Sequence, residues 1–297
     1  MADRGGAARG VPTHPADAYA IRPIRDAETL RRCEALQAEI WRFPPVDIVP
    51  LTQLVAAVSA GGLVLGAFGP DGGLVGFAYA FPAWRGGRAL WYSHMAGVVP
   101  ASQGVGLGLR LKRAQRDAAL AAGLDEIVWT YDPLQAGNAR FNFTRLGGIA
   151  RRYHVDYYGI MNDAINHGLP SDRFEIDWQL RSSRVLARLA GEGAPRLPSG
   201  LPWAVAAEKA DGPDASVAPP RPPDVSLAAR ALLVEIPRDL TGLKATRPDV
   251  ALRWRDATRA AFRHYLTRGY MVTEAVRFPD ERGARVVYLL VQEEARP

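Results

Sequence analysis

At 297 residues, the chain is long enough for one large domain or two modest ones with an ample core. Apolar residues make up 48% and charged residues 23%, the balance of a soluble globular protein, and no stretch approaches the roughly 18 consecutive apolar residues of a membrane span. The formal net charge of +6 rests almost wholly on arginine, with lysine only at Lys112, Lys209 and Lys244. No run of like charge and no interleaving of basic and aromatic residues argues for a nucleic-acid platform, whereas a basic surface suits a small polyanionic ligand. The single cysteine, Cys33, excludes an intramolecular disulfide and a cysteine zinc cluster and reads as a buried thiol; no metal site is expected.

Residues 1–17 are rich in Gly, Ala, Arg and Pro and carry no apolar h-region, so they read as a disordered tail and not a signal peptide, which points to the cytoplasm. Order is expected from 18 to 187. Tyr19–Arg25 reads as a strand, and Asp26 as an N-cap before Leu30, Cys33, Leu36, Ile40 and Trp41 at helical spacing. Phe43-Pro44-Pro45 breaks that helix, and a second covers Leu51–Ala60. Strands Leu63–Phe68 and Leu74–Phe81 flank a glycine-rich hairpin turn. A strand through Leu90–Val99 follows and ends at Pro100; after a glycine-rich loop comes a helix with Leu107, Leu109, Leu111, Ala114, Ala118 and Ala122, closed by Gly123. Asp125–Tyr131 is a further strand, Asn138–Leu146 a short helix, and Ile149–Tyr158 and Phe174–Leu180 two more strands across a polar loop bearing Asn162, Asp163 and Asn166.

The loop at Gln103, Gly104, Gly106 and Gly108 is the most informative stretch. Glycines at a strand-to-helix turn leave backbone N–H groups pointing outward at the positive end of the helix dipole, a site for an anion and most often a phosphate; the plainer alternative is a tight connection that merely needs glycine. A P-loop requires Gly-Lys-Ser/Thr, but Gly108 is followed by Leu109 and Arg110. A dinucleotide fingerprint needs its third glycine where Leu109 stands.

The string VVPASQGVGLG resembles the Q/R-x-x-G-x-G/A loop of the GNAT superfamily of CoA-dependent N-acyltransferases, with Gln103, Gly106 and Gly108 at the signature positions. The order of strands and helices from about Tyr19 to Arg181 is also that family's. The resemblance implies an α/β (α+β) GNAT fold, with a mixed, splayed sheet flanked by helices, and acetyl-CoA or another acyl-CoA as donor. It implies that Gly97, Val98 and Val99 line the reacting carbonyl. Gln103, Gly104, Val105, Gly106, Leu107, Gly108 and Leu109 would then hold the pyrophosphate, with Asn138 and Asn142 as further contacts on one helix face. An amine must lose a proton before it attacks, and His94, beside Ser93 in the strand, is a candidate base or else a hydrogen-bonded sheet histidine. The family's usual acid tyrosine is replaced by Phe143, which leaves Tyr153, Tyr157 or Tyr158 as substitutes, Tyr158 being preferred. Asp132 is a candidate catalytic contact or a turn cap, and Ser93, Asp172 and Arg173 are candidates for the substrate, Arg173 as a carboxylate clamp or an ion-pair partner.

The combination SHM, WTYDPL, NARFN, YYG and PSDRF looks like a narrower GNAT subgroup of two-part bacterial proteins linked to N-acylamino-acid metabolism. That implies an amino-acid or other small amine acceptor and a donor that extends to succinyl-CoA. Residues 188–224 read as a Pro/Gly/Ala-rich linker, and 225–297 as a C-terminal α+β part. In this part RHYLTRGYMV resembles the helix-to-strand junction of a half-GNAT unit without its own CoA loop. It would extend the sheet, cover the cleft or support a homodimer. An acyl-CoA-binding sensor with little catalysis is the alternative function, favoured by Phe143.

Overall fold

Alternating side chains along the first strands create two helical layers in the computed structural model, which describes residues 18–159, 161, 167–192, 197–208, 218–280 and 283–293. Strand β1 (Ala20–Pro23) leads into α1 (Ala27–Trp41), whose N-cap Asp26 accepts a hydrogen bond from Thr29 N at 2.8 Å, as expected. Helix α2 (Leu51–Ser59) follows, then β2 (Leu63–Phe68), β3 (Leu74–Arg85) and β4 (Arg88–Val98). Val64 and Phe68 of β2 and Phe77 and Tyr79 of β3 pack with Leu30, Cys33 and Leu54 of α1 and α2. The intervening Leu65, Ala67 and Ala78 pack on the other face with Leu107 and Leu111 of α3 (Leu107–Ala121). Cys33 is a buried free thiol, which burial pushes up to about 12.

Contact between α1 and β4 is close enough to require glycine. A methyl group at Gly97 would lie 2.7 Å from Trp41 Cζ2 and 2.9 Å from Ile40 Cγ2. Gly97→Ala is therefore expected to destabilise the fold by about 1–3 kcal/mol through overpacking, read as a lower urea midpoint at unchanged slope.

Helix α3 is followed by β5 (Glu126–Tyr131), α4 (Ala136–Arg140) with a π-helical continuation over Phe141–Arg145, β6 (Ile149–His154) and β7 (Arg173–Gln179). From β1 to β7 this is the element order that the GNAT resemblance implies. The polar-loop residues Asn162, Asp163 and Asn166 lie outside the described residues, as does the tail 1–17.

The C-terminal elements continue the same sheet. After α5 (Ser183–Ala190) come β8 (Trp203–Val205), β9 (Ala231–Ile236), α6 (Leu240–Thr246), α7 (Pro248–Leu266), β10 (Tyr270–Asp280) and β11 (Gly283–Gln292). The eleven described strands form one mixed sheet in the order β1-β2-β3-β4-β5-β7-β6-β10-β11-β9-β8, in which β4–β5 and β8–β9 are parallel. The stretch 188–224 departs from a plain linker where it is described. Ala204 and Val205 are buried in β8, and Ala207 bridges to Pro220. Composition hides this because a three-residue apolar run gains structure only from the edge of β9. Helix α6 was likewise concealed, its start marked by Asp239 accepting from Gly242 N at 2.9 Å.

Candidate active site

β4 and β5 are paired only at Trp91–Ile127 and Tyr92–Val128. Beyond those pairs the strands line a cavity of about 550 Å³, walled by Ser93, His94, Met95 and Ala96 on one side and Trp129, Thr130 and Tyr131 on the other. Trp41 and Phe43 from the end of α1, and Asp132, Asn138, Asn142, Tyr158 and Arg173, complete much of the wall. The cavity thus collects seven of the residues singled out above: Ser93, His94, Asp132, Asn138, Asn142, Tyr158 and Arg173.

The pairing of β3 with β4 slips at this place. Tyr79 pairs with Met95 and Ala80 with Ser93, which leaves His94 as the extra residue of a bulge. A bulge re-aims side chains and bends the strand. The His94 ring lies near Tyr79 (5.8 Å between centroids), Phe81 (6.0 Å) and Tyr92 (6.4 Å). His94 is exposed at the wall, yet desolvation by the groups crowded around the ring lowers its pKa below the usual imidazole value and favours the neutral ring at neutral pH.

Ser93 points to the other face. Its Oγ donates to Gln115 Oε1 (3.1 Å) and accepts from Lys112 Nζ (3.1 Å), while Nζ also donates to Gln115 Oε1 at 2.7 Å. Lys112 is only 3% exposed, lies 3.8 Å above the Trp129 ring and lines the cavity. Burial brings its pKa down to about 7. Sequence reading missed this residue because the apolar stripe expected on α3 ran through Ala114 and Ala118. The helix instead buries Leu107, Leu111, Lys112, Gln115 and Ala119. A lysine in a chain with only two others was the available signal.

Three of the proposed site residues are tied into the scaffold. Asp132 accepts from Leu134 N (2.9 Å) and pairs with fully buried Arg255 of α7 at 2.7 Å, so its carboxylate is committed although it lines the cavity. Asp172 does not line the cavity. It is fully buried, where Arg259 grips it at 2.7 and 2.8 Å, and it accepts from Tyr153 OH and Asp156 N. Burial alone would raise its pKa, but these donors outweigh that effect and lower it. Asp172 is therefore a structural anchor in place of the expected substrate contact. Gln103 donates from Nε2 to Val98 O at 2.8 Å and so braces its own turn.

Tyr158 OH and Tyr92 OH both reach Thr130 Oγ1, at 3.1 and 3.3 Å, forming a chain of hydroxyls between β4, β5 and the segment after β6. The Arg173 guanidinium lies 5.2 Å from the Tyr158 ring centroid, with Nη1 donating to Asp172 O. Asn142 Oδ1 accepts from Trp129 Nε1 at 3.3 Å. Phe143 is wholly buried against Tyr131 and Tyr288 and does not line the cavity. Tyr153 is held by Asp172, and Tyr157 meets Tyr158 edge to face, with 4.8 Å between centroids.

The glycine loop lies beyond the cavity at the start of α3 and contributes nothing to its wall. Gly104 and Gly106 have φ of 82° and 89°, a region that favours glycine, and a methyl group at either would meet nothing within 4 Å. No side chain caps α3, so the N–H groups of its first turn remain available to a ligand. A methyl on Gly108 would lie 3.8 Å from Phe141, a cavity residue, which joins the loop to the cavity rim. Val98 and Val99 are buried, and Val99 N donates to Val75 O. The residues present therefore fit the pyrophosphate of an acyl-CoA.

No family model and no curated protein matches the chain. Solved structures do resemble part of it. The protein yncA of Salmonella typhimurium, described as an acetyltransferase and solved with acetyl-CoA, is 22% identical over 56% of this chain and 96% of its own, with a TM-score of 0.45. A Desulfovibrio desulfuricans protein described as a GNAT-family acetyltransferase is 18% identical over 55% and 99% of the two chains, with a TM-score of 0.45. A GNAT-family acetyltransferase of Streptococcus pneumoniae is 13% identical over 54% and 98%, with a TM-score of 0.44. Likeness at this level identifies neither activity nor substrate.

Proposed function

We propose that the chain is a CoA-dependent N-acyltransferase that moves an acetyl or succinyl-type group to a small-molecule amine, with an amino acid as acceptor, by direct attack in a ternary complex. One observation carries this reading: a glycine turn with open space above it and uncapped helix N–H groups follows the strand whose C-terminal half walls a cavity that includes His94, a histidine with a lowered pKa. An acyl-CoA supplies an activated thioester carbonyl. The amides from Gly104 to Leu109 bind its pyrophosphate, and β4 brings Ser93–Ala96 alongside the cavity. His94 in its neutral form takes the proton that the acceptor amine must lose. Arg173, at the start of β7 in the cavity wall, gives the acceptor's or the acyl chain's carboxylate a cationic partner. The resemblance to proteins of N-acylamino-acid metabolism supports the amino-acid acceptor and the succinyl donor.

Residues 225–297 serve as a buttress for the cavity in this reading. Arg255 and Arg259 hold Asp132 and Asp172, Tyr131 OH and Tyr288 OH share a hydrogen bond at 2.9 Å, and Glu274 accepts from Arg184 and Arg188.

Thiol release from acetyl-CoA or succinyl-CoA with a panel of amino acids tests the activity. Turnover is expected with at least one pair, and tight CoA binding without turnover on any amine would favour an acyl-CoA sensor. Gly108→Asp, which places bulk and negative charge at the first turn of α3, is expected to weaken CoA binding at least about tenfold in calorimetry, the equivalent of about 1.4 kcal/mol. Unchanged affinity would remove the loop from the site.

A further inference from the structure

Lys112 is a buried amine without a carboxylate partner among the described residues. Around Nζ stand Gln115 of α3, Ser93 of β4, Trp129 of β5 and, at 5.2 Å, the ring of Trp178 of β7; none of them carries charge. The charged and titratable groups of the other cavity walls are His94, Asp47, Asp132, Arg173, Tyr131 and Tyr158. An ammonium held by two neutral oxygens and an aromatic face gains less than it would from a carboxylate, and burial alone accounts for its weakened hold on the proton. A structural lysine would be expected to carry an acid partner or to reach water. Lys112 does neither and instead lines the cavity.

Two titratable groups beside β4, His94 and Lys112, also differ in charge state. His94, on one face of the strand, favours its neutral form, while Lys112, on the other, changes state near pH 7. Pairs of groups whose environments set them apart in this way are a mark of acid and base roles. Phe143 has no proton to give and is turned away from the cavity, Asp132 is bound to Arg255, and Tyr158 is exposed and hydrogen-bonded to Thr130.

We infer that Lys112 is the proton donor of the site, delivering a proton from Nζ to the departing thiolate of the acyl donor. The inference rests on the acyltransferase reading above. As the acceptor nitrogen bonds to the carbonyl carbon and the C–S bond breaks, sulfur keeps the bonding pair and takes the Nζ proton. Free thiol and a neutral Lys112 amine result. The amine then accepts the Ser93 hydroxyl proton in a hydrogen bond, a reversal of donor and acceptor that the 3.1 Å contact allows, until water entering the emptied cavity restores the ammonium. The proton lost by the acceptor leaves through His94.

Two measurements test the inference. In protein labelled with 13C at lysine Cε, only three lysines report, and the Lys112 resonance, identified by its loss in Lys112→Met, is expected to titrate near pH 7. In kinetics, Lys112→Met is expected to slow transfer from acetyl-CoA by about 100-fold or more at unchanged CoA affinity. It should slow transfer from an aryl thioester, whose thiolate leaves without a proton, by less than about threefold. Lys112→Arg, which keeps the charge but cannot release its proton, should match the Met variant. Full activity of Lys112→Arg, equal losses with both donors, or a Lys112 resonance that stays charged above pH 10 would each overturn the assignment. Absence of acyl-CoA turnover by the wild-type chain would overturn the acyltransferase reading and this inference with it. Turnover with any of the three preceding results would overturn the inference alone.

Discussion

Arg255→Ala is expected to remove about 3–5 kcal/mol of stability, the usual consequence of leaving one half of a buried ion pair without its partner. Arg255 is fully buried, and its Nη2 donates to Asp132 Oδ2 at 2.7 Å, while Nε and Nη1 find no acceptor among the described residues. The pair is therefore strong in attraction but incompletely satisfied, and it differs from the exposed pairs of this surface, such as Arg32–Glu28, which contribute at most about 1 kcal/mol. Replacement of both partners by apolar residues, Asp132→Leu with Arg255→Met, should recover most of the loss, because neither buried charge then remains. A double-mutant cycle in urea reads the coupling directly, and a cycle with no coupling would remove the pair as the link between α7 and the cavity. Activity should fall in Arg255→Ala as well, since Asp132 also fixes the turn at Leu134 beside Gln135 and Asn138.

His94→Ala is expected to lower kcat by about 100- to 10,000-fold, the range over which a positioned base contributes, with little change in CoA affinity. The pH profile supplies the sharper check. Desolvation lowers the His94 pKa, so the wild-type rate should rise with pH on an acid limb placed below the ordinary imidazole value, where the ring loses its proton. His94→Ala should lose that limb. The same shift has a sign for stability. The unfolded histidine holds its proton more tightly than the folded one, so this contribution is complete above the unfolded value and fades as pH falls toward the lower folded value. An acid limb that survives in His94→Ala would return the residue to a role in packing against Tyr79 and Phe81.

Much of the scaffold was legible in the chain. Asp26 announced α1, the glycine cluster from 69 to 73 announced the β2–β3 hairpin, and the loop from Gln103 to Gly108 announced the start of α3. What these features share is locality: capping, turn chemistry and periodicity act within a few residues.

The rest depended on partners far along the chain. Asp132 read as a catalytic contact or a turn cap, and Asp172 as a substrate contact, until α7 supplied Arg255 and Arg259, 123 and 87 residues further along the chain. Trp203–Val205 became a strand only where β9 offered an edge. Lys112 drew no functional reading until the fold buried it against Ser93 and Trp129, which sets both its surroundings and its hold on a proton. By itself the sequence determined the local elements and the loop suited to a phosphate, since short-range sterics and hydrogen bonding decide those. Only the tertiary structure decided which ionisable groups are paired and which remain titratable in the cavity, because burial and long-range charge pairing set protonation and neither is encoded in neighbouring residues.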